Sequence, residues 1–165
     1  MKKIILSLLL LLPLGLFAQE VKIAFVDQNQ IFYSMPEVSE VESKLALEQK
    51  KIEDEVKKMQ DEYERKYSDL VSRADSLTEN IKKIKAQEVT DLELRIRQVI
   101  EVSQEQMSKM QETLLAPIQE KITKAINSVG EENGYSCILP NQLLLFKGKN
   151  VIDATPLVKA KLGVN

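Results

Sequence analysis

The 165-residue chain contains no histidine, no tryptophan and one cysteine, which excludes imidazole-based nucleophilic or metal chemistry and any disulfide within the chain. Its 23 basic and 25 acidic residues give a formal charge of −2, and no basic stripe with interleaved aromatics appears, which argues against nucleic acid as a partner. Carboxylates abound, but at the spacing of solvated helix faces, so no catalytic, cofactor-binding or metal site is expected and the chain does not read as an enzyme.

Residues 1–18 read as a cleaved export signal. Lys2 and Lys3 precede an apolar stretch from Ile4 to Phe17, broken only by Ser7, Pro13 and Gly15, and Leu16-Phe17-Ala18 offers the cleavage site before Gln19. The stretch is shorter than the roughly 20 residues a membrane span needs. A soluble, periplasmic protein is therefore expected. Removing the two lysines leaves 21 basic against 25 acidic residues, a net charge of about −4.

Residues 19–36 form the N-terminal part of a small body. Val21–Val26 is β-branched and aromatic, with Val21, Ile23 and Phe25 on one face, and predicts a strand. Asp27 with Gln30 resembles a capping box for a short helix through Ile31, Phe32 and Tyr33. Ser34, Pro36 and Glu37 supply a second helix start.

Residues 37–130 form the arm. Apolar residues recur in steps of three and four at Val38, Val41, Leu45, Ile52, Val56, Met59, Tyr63, Tyr67, Leu70, Ala74, Leu77, Ile81 and Ile84, and again at Leu92, Ile96, Val99, Met107, Met110, Leu114, Ile118, Ile122, Ala125 and Val129. That period keeps one narrow stripe facing a partner helix, as in a coiled coil. One continuous helix would hold the two terminal β-like segments over roughly 100 Å apart, whereas a hairpin lets them share a sheet. The expected hairpin reverses between Glu79 and Asp91, near residue 83, with Lys82, Lys83 and Lys85 at the arm tip. Pro117 interrupts the return helix, where a lost hydrogen bond predicts an arm kink rather than an end.

Residues 131–165 complete the body. Gly134 suits the end of the return helix. Strands are expected at Tyr135–Leu139 and Leu143–Phe146, a turn at Gly148 and Asn150, and a last helix opened by Thr155-Pro156 and closed by Gly163. Cys137, in an apolar setting, reads as a small buried strand residue. So little apolar material falls short of an independent core, and a three-strand sheet leaves exposed edges, so several copies are expected to associate. Ile23, Phe25, Ile138, Leu139 and Leu144 are the candidate oligomer interface. The fold class is α+β, mostly α: a long antiparallel coiled-coil helical hairpin projecting from a small β-rich body.

Over essentially its whole mature length the sequence resembles the Skp/OmpH family of periplasmic chaperones. The similar elements are Ile23-Ala-Phe-Val-Asp27 with Ile31, Phe32 and Pro36; the charged hairpin; Leu114-Leu-Ala-Pro-Ile118; Ala125-Ile126 before Glu132-Asn-Gly-Tyr135; Ile138-Leu139; and Asp153-Ala-Thr155. The resemblance implies a homotrimer with a β-rich trimerisation body and three helical tentacles around a cavity. It also implies an ATP-independent holdase that binds unfolded outer-membrane proteins and passes them to the outer-membrane assembly machinery. The best-known members are strongly basic and this chain is mildly acidic, which argues against membrane-surface contact. The competing reading is an envelope-spanning coiled-coil adaptor, which would leave unfolded barrel proteins to precipitate.

Overall fold

The computed structural model describes residues 21–164, and the expected export signal lies outside them. Strand β1 (Ile23–Val26) leads into helix α1 (Gln28–Ser34) and then helix α2 (Pro36–Ser72). After a reversal the return helix α3 (Glu79–Asn133) runs back, followed by β2 (Cys137–Pro140), β3 (Ile152–Asp153) and α4 (Thr155–Leu162). The fold is a long helical hairpin on a small body with a three-stranded sheet.

The sheet has the order β2-β1-β3, and both pairings are parallel. Parallel neighbours need a crossover connection. Here the whole hairpin is the crossover between β1 and β2, which is why the arm emerges from the body. The register pairs Ile23 with Cys137, Ala24 with Ile138 and Phe25 with Leu139, and β3 sets Ile152 against Ala24 and Asp153 against Phe25.

Side chains alternate along a strand, so the sheet has two unlike faces. Ala24 and Val26 point into a core with Ile31, Met35, Val38, Val41, Ile118, Ile122, Ala125, Val129, Ala154 and Val158. Ala24, Ile31, Ala154 and Val158 have no exposed surface. A fully buried Ile or Val contributes about 1.5–3 kcal/mol relative to an exposed one. Ile23, Phe25, Cys137, Leu139 and Asp153 share the opposite face by register.

Short polar links fix the body. The Asp27 carboxylate accepts from the Gln30 N–H at 3.0 Å, the half of the capping box that starts α1. Ser34 does not cap α2: it closes α1, donating its hydroxyl to the Gln30 carbonyl, and Met35 occupies the cap position before Pro36. Helix α4 starts at Thr155 rather than after it, with Ala154 at the cap position. The Thr155 hydroxyl accepts from the Asp27 N–H at 2.9 Å, and the Asp153 carboxylate accepts from the Thr155 N–H at 2.9 Å. The first of these bonds ties the two ends of the body together across the arm, and the second orders the start of α4. Gly134 ends α3 in the left-handed region, at φ 64°.

Candidate functional site

The hairpin reverses earlier than its sequence predicts. Helix α2 stops at Ser72, a 3-10 turn covers Ala74–Ser76, and α3 begins at Glu79. Ser76 closes the turn twice, donating its N–H at 3.0 Å and its hydroxyl at 2.9 Å to the Arg73 carbonyl. The apex therefore lies before residue 83, and Lys82, Lys83 and Lys85 sit in the first turns of α3. The two helices are unequal, 37 residues against 55. At the root Glu37 faces Lys121 at 2.5 Å, so the residues of α3 beyond Lys121 run past the start of α2 and pack on the body. A symmetric hairpin ending near Val129 misplaces the apex for that reason.

Near the tip two ion pairs cross the arm, Lys66 to Glu88 at 2.8 Å and Lys85 to Asp69 at 2.7 Å. Hydrogen bonds from Lys85, Lys66 and Lys121 hold the carboxyls of Asp69, Glu88 and Glu37, respectively, below their ordinary values. The Glu88 hydrogen bond raises the Lys66 ammonium in return. Lys82 pairs with Glu79 at 2.8 Å. Two of the three tip lysines are thus neutralised by acids of the chain itself.

The inner stripe of the arm is unevenly packed. Val89, Leu92 and Ile96 are buried near the tip, and Ile118 and Ile122 at the root. No residue from Arg97 to Pro117 is buried, and in α2 none is buried beyond Val41. In the middle a cleft of about 580 Å³ opens between the helices. Ile52, Val56, Ile100 and Met107 line it, with Ser103 and the amides of Gln49, Gln60, Gln104 and Gln111. Helix α3 runs unbroken through Pro117, so that proline does not end the helix.

The second candidate surface is the sheet face turned away from the helices. Phe25 on it is covered by the Lys147 ammonium, 4.1 Å from the ring centroid, while Ile23 is half-buried and Leu139 exposed. Ile138 does not belong to this face. Its register partner is Ala24, and it packs against the core beside Gly130. Leu144 is half-buried in the segment before Gly148.

Two further expectations are corrected here. Leu143–Phe146 is not a strand: β1 already carries β2 on one edge and β3 on the other, and Leu143 ends a 3-10 turn. Leu145 is fully exposed and Phe146 is 84% exposed. Cys137 is exposed, not buried, because it stands on an edge strand on the open face. The exposed Leu145 and Phe146 were missed as a surface. Their signal was an apolar run without alternation beside a glycine turn.

Among the described residues no cluster of acidic or cysteine side chains could hold a metal ion, and no helix is long and apolar enough to cross a membrane. The sequence model of a family described as "Outer membrane protein (OmpH-like)" matches residues 22–162. No curated protein matches. The fold is similar to the crystal structure of an OmpH-like protein from Caulobacter crescentus CB15, named there as a proposed outer membrane chaperone. The TM-score is 0.75 at 12% identity, covering 87% of this chain and 84% of the other. At that identity the likeness concerns the fold.

Proposed function

The chain belongs to the OmpH-like family, and we propose that it is an ATP-independent holdase that keeps unfolded outer-membrane β-barrel proteins from aggregating in the periplasm. The observation that carries this reading is the division of the molecule. A small body anchors a two-helix arm whose outer faces are charged and whose inner stripe is only half-buried through its middle, with no buried residue in α2 beyond Val41 and none in α3 from Arg97 to Pro117. A barrel precursor in water exposes alternating apolar residues and unpaired strand edges. Several arms around one such chain hold it through many weak contacts, so binding is multivalent and reversible. Delivery to the outer-membrane assembly machinery belongs to the same proposal.

Several arms require several copies. We assign self-association, as a homotrimer, to the open sheet face at Ile23, Phe25 and Leu139 with the neighbouring Leu143, Leu144, Leu145 and Phe146. Leu145 and Phe146 find no cover within the protomer, and burying such side chains between copies is worth about 1.5–3 kcal/mol each. Sedimentation of Leu145→Asp/Phe146→Asp should show monomers. A trimer that persists would remove this surface from the interface. The pairing of Lys82 and Lys85 with acids supports an arm tip that does not bind anionic lipid.

The decisive experiment uses a urea-unfolded outer-membrane barrel diluted with or without the mature protein. Suppressed aggregation is expected. A second variant deletes Val56–Val99, which face one another by the register of the tip ion pairs, and closes the gap with a glycine-containing turn. It should assemble as wild type and fail to protect. Precipitation of clients beside the wild-type protein would support an adaptor instead.

A further inference from the structure

We propose that the arm contains a built-in joint in its middle, at the cleft around Ser103, about which the distal half swings as a rigid block. Three independent observations converge there. Burial is interrupted: Val89, Leu92 and Ile96 form one packed zone and Ile118 to Val129 another, with no buried residue of α3 between them. Cross-arm ion pairs follow the same division. Among the described residues they join the helices at the root, Glu37 to Lys121, and near the tip, Lys66 to Glu88 and Asp69 to Lys85, and none spans the middle.

The third observation is the side chains themselves. The α3 stripe steps through Ile96, Ile100, Ser103, Met107 and Met110, and Ser103 is the one small polar residue in that run. Opposite Ile52 and Val56 it leaves a cleft of about 580 Å³, whose lining Ile52, Val56, Ile100 and Met107 are only half-buried, so dispersion contacts and exclusion of water hold the helices together less than in the packed zones on either side. The glutamines around it are exposed, and Gln49 donates to Glu53 of its own helix at 2.8 Å, so opening the gap strands no polar group. Toward the root, Pro117 offers no N–H to the Thr113 carbonyl, and the Thr113 hydroxyl donates to the Lys109 carbonyl at 2.7 Å. Both features loosen or bend a helix. Packed zones that resist deformation, joined by one that does not, make a hinge. It lets arms around a cavity widen or narrow without unfolding at tip or root.

Hydrogen exchange on the mature protein alone, without client, tests the joint separately from the chaperone reading. In the wild type, amides of residues 99–111 should exchange at least about tenfold faster than those of residues 89–96. Ser103→Leu fills the cleft and should slow residues 99–111 by about tenfold, leaving residues 118–129 unchanged. Ser103→Ala, which removes the hydroxyl without filling the gap, should keep the wild-type profile. Protection that declines smoothly from root to tip, or a middle segment indifferent to Ser103→Leu, would overturn the proposal.

Discussion

The body and the arm use apolar residues in opposite ways. In the body, side chains from β1, α1, the root of α2, the end of α3 and α4 converge on one point, and several are wholly buried. In the arm the same residue types form a stripe one helix wide, and α2 contributes no buried residue beyond Val41. The residue types are the same in both; the number of elements packed around them is not. A helix with one partner can bury only a seam, so stability per residue falls along the arm while reach is gained.

The largest effect that would break this contrast is a truncation in the body. Ile31→Ala should cost about 2–5 kcal/mol, because a fully buried side chain leaves a cavity the packed core cannot close. Ile52→Ala, on the half-exposed stripe beside the mid-arm cleft, should cost well under that, since water already reaches its neighbourhood. Urea denaturation of both variants measures the difference; equal losses would mean the arm is as tightly packed as the body.

A hydroxyl in each region sharpens the comparison. Thr155 is buried, and its oxygen is the acceptor for the Asp27 N–H. Thr155→Val should therefore cost about 1–3 kcal/mol, the penalty of a donor left unpaired. Thr113 donates to a carbonyl of its own exposed helix, and Thr113→Val should be near neutral, within about 0.5 kcal/mol. Thermal unfolding of the pair checks both values.

Much of this contrast was legible beforehand. The stripe of threes and fours, the Val21–Val26 strand, the Asp27 cap and the helix end at Gly134 follow from periods and local sterics that need no tertiary knowledge. What was not legible depended on how far α3 overlaps the body. Helices of equal length predict an apex near residue 83, and the turn at Ala74–Ser76 contains no glycine or proline to announce it. Leu143–Phe146 looked like a strand because apolar runs do, but a sheet with both edges of β1 occupied had no place for it. Among the candidate interface residues, Ile23, Phe25 and Leu139 share the open face, whereas the parallel register turns Ile138 inward, and no one-dimensional pattern discloses a register.

The smallest expected effect concerns pH, and it separates tip from body. Lys85 and Lys66 hold the Asp69 and Glu88 carboxyls below their ordinary values of 3.8 and 4.5. A folded-state value below the unfolded one means that the ionised form is favoured by folding. The contribution is then complete above about pH 4.5 and lost as pH falls through the depressed folded values. Lowering the pH from 7 to 5 should leave the tip clamps intact, and loosening should begin only below about pH 4.5. These pairs are solvent-exposed and screened by salt, so the effect is slight and shrinks further at high ionic strength. The links that close the body include a neutral acceptor, the Thr155 hydroxyl, which does not titrate in this range. Carboxyl NMR should give Asp69 a midpoint under 3.8 that returns toward it in Lys85→Met. A tip that loosens between pH 7 and 5 would show that these pairs are not what holds the distal block together, leaving that role to Val89, Leu92 and Ile96 alone.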